Sequence, residues 1–168
     1  MADLISGQYA VFMLEALKEA EAASLRGDYG IGAVVVHNGK IISRAGNQII
    51  SRGGKQWAHA EFLALEPVRD SELFVPPRAG ELTVYTTLGP CPQCWGFMMV
   101  NQIGRIVYGS GDEVSTQNYE TSVPNIFKPK APIISKLEGM PDLEARCLDI
   151  FIKSAVAIDT KLGYRRQA

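Results

Sequence analysis

Residues 81–102, ELTVYTTLGPCPQCWGFMMVNQ, begin in the manner of a β-strand and end in the manner of a helix. ELTVYTT is rich in β-branched and aromatic residues, the composition of a buried strand. Leu88-Gly89-Pro90 makes a turn, and CPQCWGFMMVNQ opens a helix in which Pro92 falls in the first turn, where its missing N–H costs little. The junction therefore puts Cys91 and Cys94 three positions apart on one side of a helix start. Unpaired N–H groups and the helix dipole at such an end favour thiolates. Taken alone, the pair fits a zinc site, a redox dithiol or simple packing.

Working outward, the elements alternate. MADLISGQYAVFMLEALKEAEAAS predicts an amphipathic helix over roughly residues 5 to 24, and RGDYG breaks it. IGAVVVH and KIISRAGN flank Asn38-Gly39, a strong hairpin signal because both residues tolerate the positive φ of a type I′ turn. After a polar loop, WAHAEFLALEPV has helical apolar spacing and ends before Pro67. Downstream of the opening stretch, RIVYGS reads as a short strand, APIISKL as a last strand, and PDLEARCLDIFIKSAVAI as a closing helix. The order α-β-β-α-β-α-β-β-α predicts an α/β mixed sheet with helices on both faces.

The 168 residues suit one domain spanning 1–168 with a sizeable core. A net charge of -1 supplies no general basic field, which counts against a long polyanion as partner. Asp3, Gln8, Glu15 and Lys18 interrupt the N-terminal apolar residues, so neither a signal peptide nor a membrane span is read there. Three cysteines, an odd number without a secretory signal, argue against a disulfide framework and for a cytoplasmic location.

The second chemical element is His59-Ala60-Glu61, also at the start of an expected helix. Of the two histidines, His37 adjoins the Asn-Gly turn and is expected to be exposed, and Cys147 in the closing helix is expected to be a buried filler. That leaves His59, Cys91 and Cys94 as three metal ligands with no evident fourth. Structural zinc is closed by four protein ligands, whereas three leave a place for water. Two rival readings stand beside this one. A thiol redox protein would leave His59 and Glu61 idle, and a non-catalytic zinc-binding module would leave the open position without a purpose.

His59, Glu61, Pro90, Cys91 and Cys94 together form H-x-E…P-C-x-x-C, the signature of zinc deaminases of nucleobases. Through GAVVVHNGKIISRAGN, AHAE, TTLGPCPQC and GRIVYGS, residues 5 to 110 resemble the zinc-dependent cytidine/deoxycytidylate deaminase superfamily. Within it they resemble the branch of guanine deaminases, cytosine deaminases and tRNA adenosine deaminases. The resemblance implies a three-layer α-β-α cytidine-deaminase-like fold with a central five-stranded mixed sheet. It also implies one Zn2+ per chain, Glu61 as the catalytic proton shuttle, and a homodimer. Asn47 matches a family asparagine that contacts the substrate. Ala60, Trp57, Trp95 and Pro90 complete the candidate substrate-binding set, with Phe127, Tyr119 and Phe151 as further pocket candidates. Lys161, Arg165 and Arg166 form a small basic tail. Gly89 departs from the Glu that many members of this branch carry before Pro-Cys, a difference that bears on substrate.

The implied reaction is hydrolytic deamination of a cyclic amidine C–N bond with release of ammonia. The expected substrate is a small base or nucleoside, first guanine or a related aminated heterocycle and then cytosine or cytidine. A tRNA adenosine deaminase is the alternative, disfavoured here by the missing Lys/Arg stripe.

Overall fold

The computed structural model describes residues 2–111, 123 and 125–163. Its elements are α1 (Ala2–Arg26), β1 (Gly32–His37), β2 (Lys40–Gly46), α2 (Ala60–Leu65), β3 (Thr83–Leu88), α3 (Pro92–Val100), β4 (Arg105–Ser110), β5 (Ile133–Lys136) and α4 (Pro141–Leu162). They follow the expected order, with α1 longer than the predicted 5 to 24. One five-stranded sheet has the order β2-β1-β3-β4-β5. The β1–β2 and β1–β3 pairs are antiparallel, and β3–β4 and β4–β5 are parallel. The hairpin turns at Asn38 (φ 49°) and Gly39 (φ 71°), the left-handed backbone that a type I′ turn requires. An irregularity between Val35 and Val36 interrupts the β1–β2 register.

The continuous apolar run of β1 is explained by burial on both faces. Ala33 and Val35 join Val84, Ile106 and the α2–α3 residues Ala64, Leu65, Cys94 and Met98 in one core. Val34 and Val36 join Tyr85, Val107 and the α1 and α4 residues Met13, Leu17, Leu143 and Cys147 in the other. Successive strand residues point to opposite faces, so the chain makes three layers, α-β-α. Cys147 is fully buried, as a small filler should be.

Two helix starts are brought to the carboxyl end of β3, where the antiparallel and parallel parts of the sheet meet. Crevices at such switches commonly bind ligands. α3 begins there with Cys91 as its N-cap and Pro92 in its first turn. α2 begins there with His59 as its N-cap. α2 is shorter than WAHAEFLALEPV suggests. Only six residues are α-helical, and a 3-10 turn over Glu66–Val68 accommodates Pro67, which has no N–H to extend the α pattern. Trp57 thus precedes the helix. His37 is also half-buried rather than exposed, because its Nε2 lies 2.8 Å from Glu81 Oε2. No described helix is long and apolar enough to cross a membrane.

Candidate metal centre and substrate cavity

His59 Nδ1 lies 3.6 Å from Cys91 Sγ and 3.5 Å from Cys94 Sγ. The three donors all fall within 4.8 Å of one another, the one such cluster among the described residues. A tetrahedron with zinc–sulfur bonds of about 2.3 Å and zinc–nitrogen bonds of about 2.0 Å has donor–donor edges of about 3.5 Å. The donor set and its spacing therefore fit zinc, with one corner left for a non-protein ligand. Both cysteines are free.

The charge state of the centre points the same way. A hydrogen bond from Cys94 and the neighbouring His59 hold the Cys91 thiol down at about 4. The Cys91 thiolate and burial push Cys94 up, since a second thiolate beside the first needs a cation to offset it. His59 is raised by its bond to Cys91. Without metal the Cys91 thiolate thus favours a protonated His59 beside it, and binding of zinc displaces protons.

Glu61 is 4% exposed and points toward the same centre from the first turn of α2. Burial raises its pKa, and Thr86 Oγ1 donates to its Oε1 at 3.4 Å. A carboxyl group raised toward neutrality is suited to accept and return a proton. Thr86 reaches it because β3 alternates: Val84 and Thr86 face α2, and Tyr85 faces α1.

A cavity of about 320 Å³ opens over these groups. Its wall includes His59, Glu61, Cys91, Asn47, Gly89 and Phe151. Asn47 is 1% exposed; its Oδ1 accepts from the Ile49 N–H at 3.0 Å, and its Nδ2 has no protein acceptor. The unpaired Nδ2 offers the cavity a donor, for which a complementary ligand presents an acceptor.

Other candidates are placed elsewhere. Trp95 is 5% exposed and packs in the α2–α3 core, one step round the helix from Cys94. Ala60 and Pro90 are buried beside the centre, their side chains outside the cavity lining. Trp57 is 42% exposed and borders a separate cavity with Phe62 and Phe97. Phe127 packs against the core. Phe151 does line the substrate cavity. Tyr119, Arg165 and Arg166 lie outside the described residues. Tyr29, Ile31, Ile49 and Leu88, which line the cavity, were not anticipated. The spacing of Ile49 from Asn47 was the only local signal for any of them.

Residues 6–110 match the cytidine and deoxycytidylate deaminase zinc-binding region. The chain belongs to this family. Zinc is the family's metal, and His59, Cys91 and Cys94 are the donors able to hold it. A tRNA-specific adenosine deaminase of Bacillus subtilis (strain 168) is 37% identical over 105 residues, covering 62% of this chain and 63% of that enzyme. The matched stretch thus spans less than two thirds of that relative's length. A solved structure from a study of A-to-I editing by tRNA:A34 deaminases at the wobble position of transfer RNA is 30% identical. It aligns with a TM-score of 0.62 over 76% of this chain and 97% of its own. A guanine deaminase from Nitrosomonas europaea aligns with a TM-score of 0.66 over 84% of this chain and 83% of its own, at 15% identity, and so shares the fold. Both solved folds agree with the three-layer arrangement expected from the sequence.

Proposed function

We propose that the chain is a zinc-dependent hydrolytic deaminase whose substrate is adenosine within a transfer RNA, rather than the guanine toward which the sequence first pointed. The observation that carries this reading is the 37% identity to a tRNA-specific adenosine deaminase over 105 residues, 62% of this chain. Two guanine deaminase structures are 15% and 24% identical. A surface feature supports it. Residues 51–57, beside the centre, are all exposed and carry Arg52 and Lys55 with no acidic residue. The Arg52 guanidinium lies 5.2 Å from the Trp57 ring centroid, and this cation–aromatic pair, outside the cavity over the centre but with Trp57 two residues before His59, suits a nucleotide flanking the reacting one. Local charge of this kind offsets the overall charge of -1.

His59 Nδ1 and the two sulfurs would hold zinc, which when bound would supply the Lewis acidity that makes water available as hydroxide near neutral pH. The remaining work falls to the chain. Asn47 Nδ2 donates to an acceptor on the base and fixes the amine-bearing carbon near Glu61. The oxygen of water adds to that carbon while Glu61 moves a proton from the water to the adjacent ring nitrogen. Glu61 then takes the remaining proton from the added hydroxyl and gives it to the departing amine, so that the C–N bond breaks as the carbonyl forms and ammonia leaves. Leu88, Ile31 and Phe151 present apolar surface to the base.

The same reading takes residues 1–168 as one domain working in the cytoplasm. It takes the assembly as a homodimer, for which the stacked Phe62–Phe97 pair, 4.0 Å between ring centroids, offers an aromatic surface to a second copy. The decisive comparison presents the zinc-loaded protein with an adenosine-containing tRNA anticodon stem-loop and, separately, with guanine. Inosine from the stem-loop and no xanthine from guanine are expected. Xanthine formation with unaltered RNA would return the assignment to guanine.

A further inference from the structure

The described residues contain two buried side-chain atoms without a hydrogen-bond partner, Asn47 Nδ2 and Asp28 Oδ2. A short chain of contacts joins them. Asp28, fully buried just beyond the end of α1, accepts the Ser51 N–H through Oδ1 at 2.8 Å. Its Oδ2 lies 3.4 Å from Arg26 Nε. Arg26, the last residue of α1, donates from Nη2 to the Asn47 carbonyl at 2.9 Å. The Asn47 N–H in turn donates to Ile31 O at 2.8 Å. There is little slack beneath this arrangement. A Cβ at Gly46 would lie 2.5 Å from Glu19 O and 3.3 Å from Arg26 Nη2, so α1 and the guanidinium press directly on the residue before Asn47.

We infer that Arg26 and Asp28 are positioning residues that latch the Asn47–Ser51 segment and aim the free Asn47 amide into the substrate cavity. Arg26 holds the backbone of Asn47, and Asp28 holds both Arg26 and, through Ser51, the far end of the segment. A buried carboxylate needs compensation, which Arg26 and the Ser51 amide provide in part. The arrangement transmits the position of α1 to a side chain whose unpaired NH2 group must meet a ligand acceptor. An error of about 1 Å in such a group costs on the order of a hundredfold in rate. The inference rests on the proposal that Asn47 faces the substrate.

A double-mutant cycle with an independent structural readout tests it. Arg26→Met keeps an unbranched side chain at the end of α1 and removes the donor; Asp28→Asn keeps the acceptor for Ser51 and removes the charge. On the zinc-loaded full chain, Arg26→Met and Asn47→Ala should each lower kcat/KM on the stem-loop by about tenfold to a hundredfold. Zinc content should not change. The double variant should be no worse than Asn47→Ala alone. Without substrate, amide hydrogen exchange of Ile49 should quicken in Arg26→Met, and that of Ser51 should quicken in Asp28→Ala but not in Asp28→Asn. Multiplying losses in the double variant, or wild-type exchange at both amides, overturns the latch. If the wild-type chain makes no product, the substrate assignment fails, and the exchange experiment alone decides whether the latch exists.

Discussion

The three cysteines occupy three different electrostatic situations, and their reactivities should separate accordingly. Cys91 is held down at about 4, so after chelation of zinc it is a thiolate at any pH above that value. Cys94 is pushed up beside it, and burial pushes Cys147 up to about 12, so Cys147 stays protonated through neutral pH while the chain is folded. Alkylation near pH 6.5 should modify no cysteine in the zinc-loaded protein, Cys91 first after chelation, and Cys147 only after unfolding. Peptide mass mapping reads the order; early modification of Cys147 would contradict the packing described. Glu61 gives a second test by pH. Its folded pKa lies above the unfolded value, so the metal-free chain is favoured while Glu61 is protonated and loses that advantage as pH rises through the folded pKa. Metal-free Glu61→Gln should therefore gain in Tm over wild type as pH increases from the acid side; a constant difference across that range would contradict the burial argument.

At the scale of elements, much was legible because it was periodic or local. The Asn38-Gly39 hairpin, the strand-to-helix junction at Cys91 and the His59-x-Glu61 start of α2 each carry their signal within a few residues. Of the rest of the cavity wall, Asn47 and Phe151 were singled out, whereas Tyr29, Ile31 and Leu88 were not, because the wall is assembled from segments far apart in sequence that meet only on folding. Trp95 illustrates a related limit. Adjacency to Cys94 suggested the pocket, yet a helix turns about 100° per residue, and that step carries the indole into the core. The close contact of α1 with β1 was equally silent. A Cβ at Gly32 would lie 2.0 Å from Ala16 O, a backbone atom that cannot swing aside. Gly32→Ala should destabilise the fold by about 1–3 kcal/mol or more, read as a lower urea midpoint at unchanged m-value. A midpoint like wild type would show that α1 does not bear on β1 as closely as described.

For the whole molecule, the proposed RNA substrate is compatible with an overall charge of -1, because recognition of a splayed loop depends on local charge and stacking rather than on the sum. If Arg52 and Lys55 meet phosphates, affinity for the stem-loop should fall with salt, and replacing either by Ala should reduce the logarithmic slope by about 0.7. Slopes that match wild type would remove those residues from the interface. Trp57→Ala should weaken stem-loop binding by about 1–3 kcal/mol without loss of zinc, the range for one stacked base. The proposed chemistry turns finally on an open three-ligand zinc centre served by a buried proton shuttle, Glu61. Its most direct test compares single-turnover deamination of the adenosine stem-loop by wild type and by Glu61→Gln at matched zinc content. One zinc per chain in both proteins is predicted, with inosine and ammonia from wild type and neither from the variant. Equal product from the two proteins, or product that persists after zinc is removed, would contradict it.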